Sequence, residues 1–203
     1  KDIGLPDSKY INIQSGMCCW DGNIEVQVDV NEFRKLIEKE KKEKREEDKL
    51  HLWMQAWKIY KGEFLPDMIG EQWVAVENVR CRDEYFRVTE ELCRWHQLSG
   101  LPLKRFFNTS GLHKVAHRAA EIYPFDEWQV WEIDSLIGMS RYKEGLEVYQ
   151  NTEKLLFDEM GVAPSERLLK RFKLMGERTS QAAGALSDIK ERLREKEAAV
   201  GAY

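Results

Sequence analysis

The sequence predicts a mainly α fold, a right-handed stack of helical hairpins preceded by a small β-hairpin. Three observations carry this expectation. From Phe33 onward, apolar residues return at three- and four-residue steps in one segment after another. Glycine and proline fall at the joints between those segments, at Gly62 and Pro66, at Gly100 and Pro102, and at Pro124. Period-two alternation, the mark of strands, ends by Val30.

Taken in order, Tyr10–Val30 alternates in the strand manner. Ser15-Gly16 and Asp21-Gly22-Asn23 supply turns, and Ile24, Val26, Val28 and Val30 keep period two, giving two or three short strands. Asp29 to Glu32 then open a helix that carries Phe33, Leu36 and Ile37 on one face. Residues 38–49 hold six acidic and six basic side chains, which reads as a solvated helix end followed by a loop. A second helix covers Leu50–Tyr60, with Leu52, Trp53, Ala56, Trp57 and Tyr60 in one stripe, and Gly62 and Pro66 close it. The longest helix is expected over Glu71–Ser99, its buried stripe formed by Trp73, Val76, Val79, Tyr85, Phe86, Val88, Leu92, Cys93 and Trp95. Residues 101–110 fit either a loop or a helix. Helices follow over Gly111–Tyr123, Trp128–Met139 and Tyr142–Met160, and from a Ser165 cap to about Ser180. A charged helix over Ser187–Ala198, with Ile189 and Leu193 on one side, has the character of a linker.

Composition narrows the class. At 203 residues the chain can bury most of the surface its unfolded form exposes, so it needs no disulfide or metal staple. Hydrophobic residues at 42% and charged residues at 33% exclude general disorder and suit a helical protein with a charged outer face. Seven tryptophans predict a sizeable aromatic core. The net charge of −4 provides no basic field for a phosphate backbone, so strong DNA binding by this segment alone is not expected. No apolar run approaches the ~18 residues that a membrane-spanning helix needs, and no signal-peptide pattern opens the chain, which predicts a cytoplasmic protein. Cys18, Cys19, Cys81 and Cys93 form neither a CxxC pair nor a close-spaced framework, and free thiols follow. The chain opens on strand-like sequence and closes on helical sequence, as a piece of a longer protein would.

Within residues 140–155 a small residue, Ser140, is followed by Arg141, Tyr142, Lys143, Glu144, Gly145 and Leu146, then Val148 and Tyr149. This is similar to the second half of a tetratricopeptide (TPR) unit, in which a tyrosine opens the second helix and a small residue lets the helices approach closely. An earlier unit ends with Ala116, Ala119 and Ala120, then Tyr123-Pro124. Two imperfect units imply a short stack in which each hairpin packs on its neighbours. Three strings then carry a wider resemblance: Tyr60-Lys-Gly-Glu-Phe-Leu-Pro-Asp67, Ala120-Glu-Ile-Tyr-Pro-Phe-Asp-Glu127 and Glu159-Met-Gly-Val-Ala-Pro-Ser-Glu166. Together they resemble the signatures of the bacterial transcriptional activator domain, the TPR-like module of antibiotic regulatory proteins, over about Val28–Met175. The resemblance implies that the module follows an OmpR-type winged helix. On that view residues 1–28 hold the last hairpin of the winged helix, residues 29–180 the TPR-like domain, and residues 181–203 a linker helix to a downstream region. The recognition helix would lie upstream of Lys1.

Candidate contact residues are few. Leu101–Ser110 is longer than a typical repeat turn and carries Lys104, Arg105, Phe106 and Phe107 together, either as an exposed contact surface or as core cover. Trp128 and Trp131 lie one turn apart on the first helix of the clearer repeat and could line a peptide groove, although aromatic residues at helical spacing also build cores. His113 and His117 share a helix face, but the intervening Lys-Val-Ala lacks the glutamate of a zinc protease, so no metal is expected. Cys18 and Cys19, adjacent in a strand, point to opposite faces and predict no redox pair. No serine, cysteine or histidine stands in a nucleophile, P-loop or dinucleotide pattern, and neither an enzyme nor a cofactor is expected.

The reading that follows is a non-enzymatic interaction and oligomerisation module of a transcription regulator. Its partner is a protein or a second copy of itself, as a homodimer, and it meets DNA only through a domain outside this chain. An effector- or peptide-sensing repeat domain is the alternative. A third possibility, direct DNA contact, would use Lys104, Arg105, His113, Lys114 and Arg118.

Overall fold

A computed structural model of the chain describes residues 10–21, 27–98, 109–125 and 127–180. Strands β1 (Ile11–Gln14) and β2 (Met17–Trp20) form an antiparallel hairpin with Ile11 opposite Trp20 and Ile13 opposite Cys18. Its turn uses Ser15 and Gly16, both at positive φ. The expected third strand falls partly on residues 22–26, outside the described residues. Helices follow in order: α1 (Asp29–Lys42), α2 (Glu46–Ile59), α3 (Gln72–Leu98), α4 (Thr109–Ile122), α5 (Gln129–Gly138), α6 (Tyr142–Leu155), and α7 over 166–180.

Each helix from α1 to α6 packs against the next one in the chain. Short connections make such neighbours antiparallel, so the helices form hairpins laid side by side. The last helix, α7, reaches two predecessors: Tyr149 of α6 stacks on its Phe172 at 4.5 Å, and Arg171 bonds Asp134 of α5. Among the described residues, no helix is long and apolar enough to cross a membrane.

The joints are chemically specific. Between α5 and α6, Ser140 adopts a left-handed φ of 59°, and Ser140 and Arg141 donate their backbone N–H to Ile137 and Leu136. After α6 a π-helical turn (Leu156–Met160) ends at Gly161, whose φ of 65° suits glycine and reverses the chain. Ser165 Oγ then accepts the N–H of Leu168, capping α7 as its sequence predicts. Gly145 lets α6 and α7 meet: a Cβ there would lie 2.5 Å from the Met175 sulfur.

Two expectations need correction. The charged run over 38–49 is mostly helix, with α1 reaching Lys42 and α2 beginning at Glu46, so the loop is only 43–45. Ion pairs three residues apart, Lys49–Glu46 and Arg45–Asp48, accompany the early start of α2. In α3 the N-terminal half of the expected stripe is turned outward, with Trp73 55%, Val76 56% and Val79 47% exposed. Val74, Asn78, Cys81, Tyr85, Val88 and Leu92 are buried instead, in unbroken steps of three and four.

The core falls into three parts along the chain. Phe33, Ile37, Trp53, Trp57, Tyr60, Tyr85, Leu92 and Leu112 fill the first part, and Ala119, Ala120 and Trp128 the middle. Val130, Ile133, Tyr149, Leu168 and Met175 fill the end. Phe86, Tyr123 and Trp131 pack against both the first and the middle parts. Burying each such large side chain contributes about 1.5 to 3 kcal/mol.

Candidate interaction surface

Two of the signature strings meet in space. Tyr60, ending α2, and Tyr123, ending α4, share a hydroxyl–hydroxyl hydrogen bond of 2.5 Å across 63 residues of sequence. The Tyr60 ring also stacks on Tyr85 of α3 at 4.2 Å, so one tyrosine touches two further hairpin elements. Burial, together with the Tyr123 bond, drives the Tyr60 hydroxyl far above its usual pKa, so both groups stay neutral donors and acceptors. Within the first string, the Asn78 side chain accepts from the Phe64 N–H at 2.5 Å and donates to the Phe64 carbonyl at 3.0 Å. That pairing clamps the α2–α3 connection onto α3.

Arg118 of α4 completes this joint. Its guanidinium lies 4.4 Å from the Trp57 ring centroid and donates to the carbonyls of Trp57 at 2.9 Å and Tyr60 at 2.5 Å. These oxygens are among those the last turn of α2 leaves without intrahelical partners. A cation there also meets the negative end of the helix dipole.

Among helices α1, α3, α5 and α7, the first member of each hairpin, ion pairs join α1 to α3 and α5 to α7. Arg34 pairs with Glu77, Lys41 with Glu84, and Arg87 with Glu40 at 2.7 Å, all between α1 and α3. Arg171 pairs with Asp134 between α7 and α5. The Arg34 hydrogen bond holds the Glu77 carboxyl below its usual pKa, and the Lys41 and Arg87 bonds do the same for Glu84 despite its partial burial. Between α1 and α3 lies a cleft of about 460 Å³ with Phe33, Ile37 and Cys81 among charged walls. A second cleft of about 580 Å³ continues from Phe33 and Cys81 past Val30, Ile59, Phe64, Leu65 and Pro66. The two share Phe33 and Cys81, forming one groove along α1.

The predicted contact residues divide. Lys104, Arg105, Phe106 and Phe107 lie outside the described residues, as do the rest of 99–108. Trp128 is 5% exposed and meets Phe86 edge-on at 5.2 Å, while Trp131 is half-buried against the core. Only Trp131 therefore keeps appreciable surface. Of the α4 residues considered for DNA contact, Arg118 is engaged with α2. His117 donates through Nδ1 to Glu132 at 2.8 Å, and His113 lies 3.3 Å from the Ser135 hydroxyl. Both histidines thus join α4 to α5. Among the described residues, no group of three or more His, Cys, Asp or Glu side chains could hold a metal ion. Cys18 and Cys19 are exposed; burial pushes the Cys81 thiol up to about 11 and the Cys93 thiol up to about 12.

The α1–α3 groove and the Arg118 cap escape sequence reasoning because their partners lie 43 to 61 residues apart. Neither a curated protein nor a solved structure matches this chain. The family model of the bacterial transcriptional activator domain matches residues 28–174, which takes in all three signature strings and every helix of the stack up to the first part of α7. The chain accordingly belongs to the bacterial transcriptional activator domain family.

Proposed function

We propose that this chain is a non-enzymatic interaction and oligomerisation module of a bacterial transcription regulator, coupling partner or signal binding to an attached DNA-binding domain. The match across residues 28–174 carries the reading, because the family is a regulatory one and not an enzyme family. A role in bacterial transcription regulation places the protein in the cytoplasm. Residues 1–28 serve as the closing hairpin of a winged helix, 29–180 as the module, and 181–203 as a linker. The Ile11 and Ile13 side chains, 52% and 71% exposed, suit a hairpin whose cover comes from such a neighbour. DNA contact belongs to that neighbour, since the chain carries a net charge of −4. Partner contacts fall on residues 104–107 and on Trp131, which keeps part of its surface open.

Transcript profiling of a host strain lacking codons 28–174 in frame tests the proposal. A discrete set of transcripts should lose its response, and an unchanged profile under every growth condition refutes it. A sensory reading is favoured by one observation, the largely apolar 580 Å³ cleft, whose size suits a small ligand or a peptide side chain. Native mass spectrometry of freshly purified protein would reveal a co-purified ligand, and a bare mass argues against this second reading.

A further inference from the structure

We propose that the outward face of α3 is the surface through which two copies of this chain associate, an inference that rests on the oligomerisation reading above. Trp73, Val76 and Val79 follow at three-residue steps on the side opposite the buried Val74, Asn78 and Cys81. The turn leading into the helix adds Leu65, Met68 and Ile69, and Phe64 of that turn meets Trp73 edge-on at 6.0 Å. These six apolar side chains are 40–56% exposed. Single exposed apolar residues are ordinary, but six within fifteen positions make a patch of the kind that marks an interface.

Area and symmetry select a second copy as the occupant. The six side chains leave roughly 500 Å² open per copy, so a pair would cover about 1,000 Å², the level at which specific association becomes possible. A two-fold contact uses the same patch on both sides and needs no further chemistry. An antiparallel pairing centred on Trp73 sets the entry turn of each copy alongside Val76 and Val79 of the other, the arrangement that covers all six side chains. Gln72 and Ala75 are also exposed on this helix, so the stretch from Gln72 to Val76 carries no charge, and Arg80 bounds it on the same face.

Sedimentation equilibrium on the 203-residue chain tests the proposal, with circular dichroism confirming the fold of each variant. The wild-type chain should be a dimer at about 100 µM. Trp73→Asp and Val79→Lys should each weaken association roughly 30-fold or more, the loss expected when a central anchor is removed. Phe157→Asp, at a site 70% exposed on the π-helical turn after α6, should leave the dimer unchanged. A dimer that survives both α3 variants, or dissolves with Phe157→Asp, overturns the assignment of this face while leaving the regulatory reading intact. A monomeric wild type overturns the self-association itself. So does a wild-type monomer whose α3 amides become protected only in a longer chain bearing the DNA-binding domain, which would make that domain the occupant.

Discussion

Replacing Arg118 by alanine should destabilise the whole stack, because the residue closes the joint between the first two hairpins. The guanidinium donates to the carbonyls of Trp57 and Tyr60 and lies over the Trp57 ring. A hydrogen bond from a charged donor contributes about 1.5 to 3 kcal/mol when buried, and less where the freed carbonyls can be hydrated, as at this half-buried site. Cation–π contact at a comparable depth adds roughly 0.5 to 1 kcal/mol. The cation beside the C-terminal end of α2 adds about 0.3 to 1 kcal/mol. Allowing for overlap among these contributions, Arg118→Ala should cost about 3 kcal/mol. For a domain of this size that lowers Tm by roughly 6 to 12 °C.

Urea denaturation followed by tryptophan fluorescence measures the loss, with Arg118→Lys as the comparison. Lysine keeps the charge but not the planar fork, so it should recover only a minor share of the loss. A change below about 1 kcal/mol in Arg118→Ala would show that the guanidinium is a surface cation and not a helix cap. In that event the DNA-contact reading of α4 regains its strongest residue. A retardation assay at about 50 mM salt would then have to be run on the variant.

Three further outcomes follow. Tyr60→Phe and Tyr123→Phe should show a coupling of about 1 kcal/mol in a double-mutant cycle, and additive losses would mean that the hydroxyl pair is not formed. A thiol reagent at pH 8 should label Cys18 and Cys19 quickly and reach Cys81 and Cys93 only as the chain opens, because burial keeps the latter two protonated; four equal rates would contradict the packing of α3. Burial lowers the pKa of His96 and His113, so the unfolded chain takes up protons first as pH falls below its value of about 6.5. Folding stability should therefore decline from pH 7 to pH 5, and His96→Gln should flatten part of the decline measured by urea midpoint; an unaltered slope would remove His96 as a cause.

How much of this was legible in the residues depends on the range of the interaction. Local signals read true: the Ser165 cap, the turn at Ser140 and the hairpin at Ser15-Gly16 each depend on neighbours within a few positions, whereas Gly145 makes its closest approach to Met175 of α7, thirty positions on, and not to the first helix of its own unit. The α3 stripe read false at its start because hydrophobicity was taken as burial. Trp73, Val76 and Val79 keep helical spacing, and so does the neighbouring set from Val74 to Leu92. Two stripes at one period differ only in phase, and phase is set by the helices on either side. A run of apolar residues on both faces signals either a fully surrounded helix or one with a second surface to cover.

The charged stretch over 38–49 failed for the complementary reason. Its sign balance predicts a solvated helix end followed by a loop, yet Glu40 in that helix end is only 7% exposed and Arg87, 47 residues further on, accounts for its burial. A carboxylate buried beside a guanidinium that also holds Glu84 is defined by three side chains on two helices. Glu40 continues the helical spacing of Phe33 and Ile37, while Glu38 falls on the solvent side two positions earlier, so the place of Glu40 on the buried face is legible once the helix is carried past 38 and only its partner is not. The signature strings were easier because the residues that join hairpins recur at fixed places in the chain. Tyr60 and Tyr123 each end the second helix of a hairpin, and Asn78 fixes the connection that follows the first. Those strings therefore report how the stack is assembled, and the first of them, from Tyr60 to Pro66, also lines the groove along α1, so a joint and a cleft share the same residues.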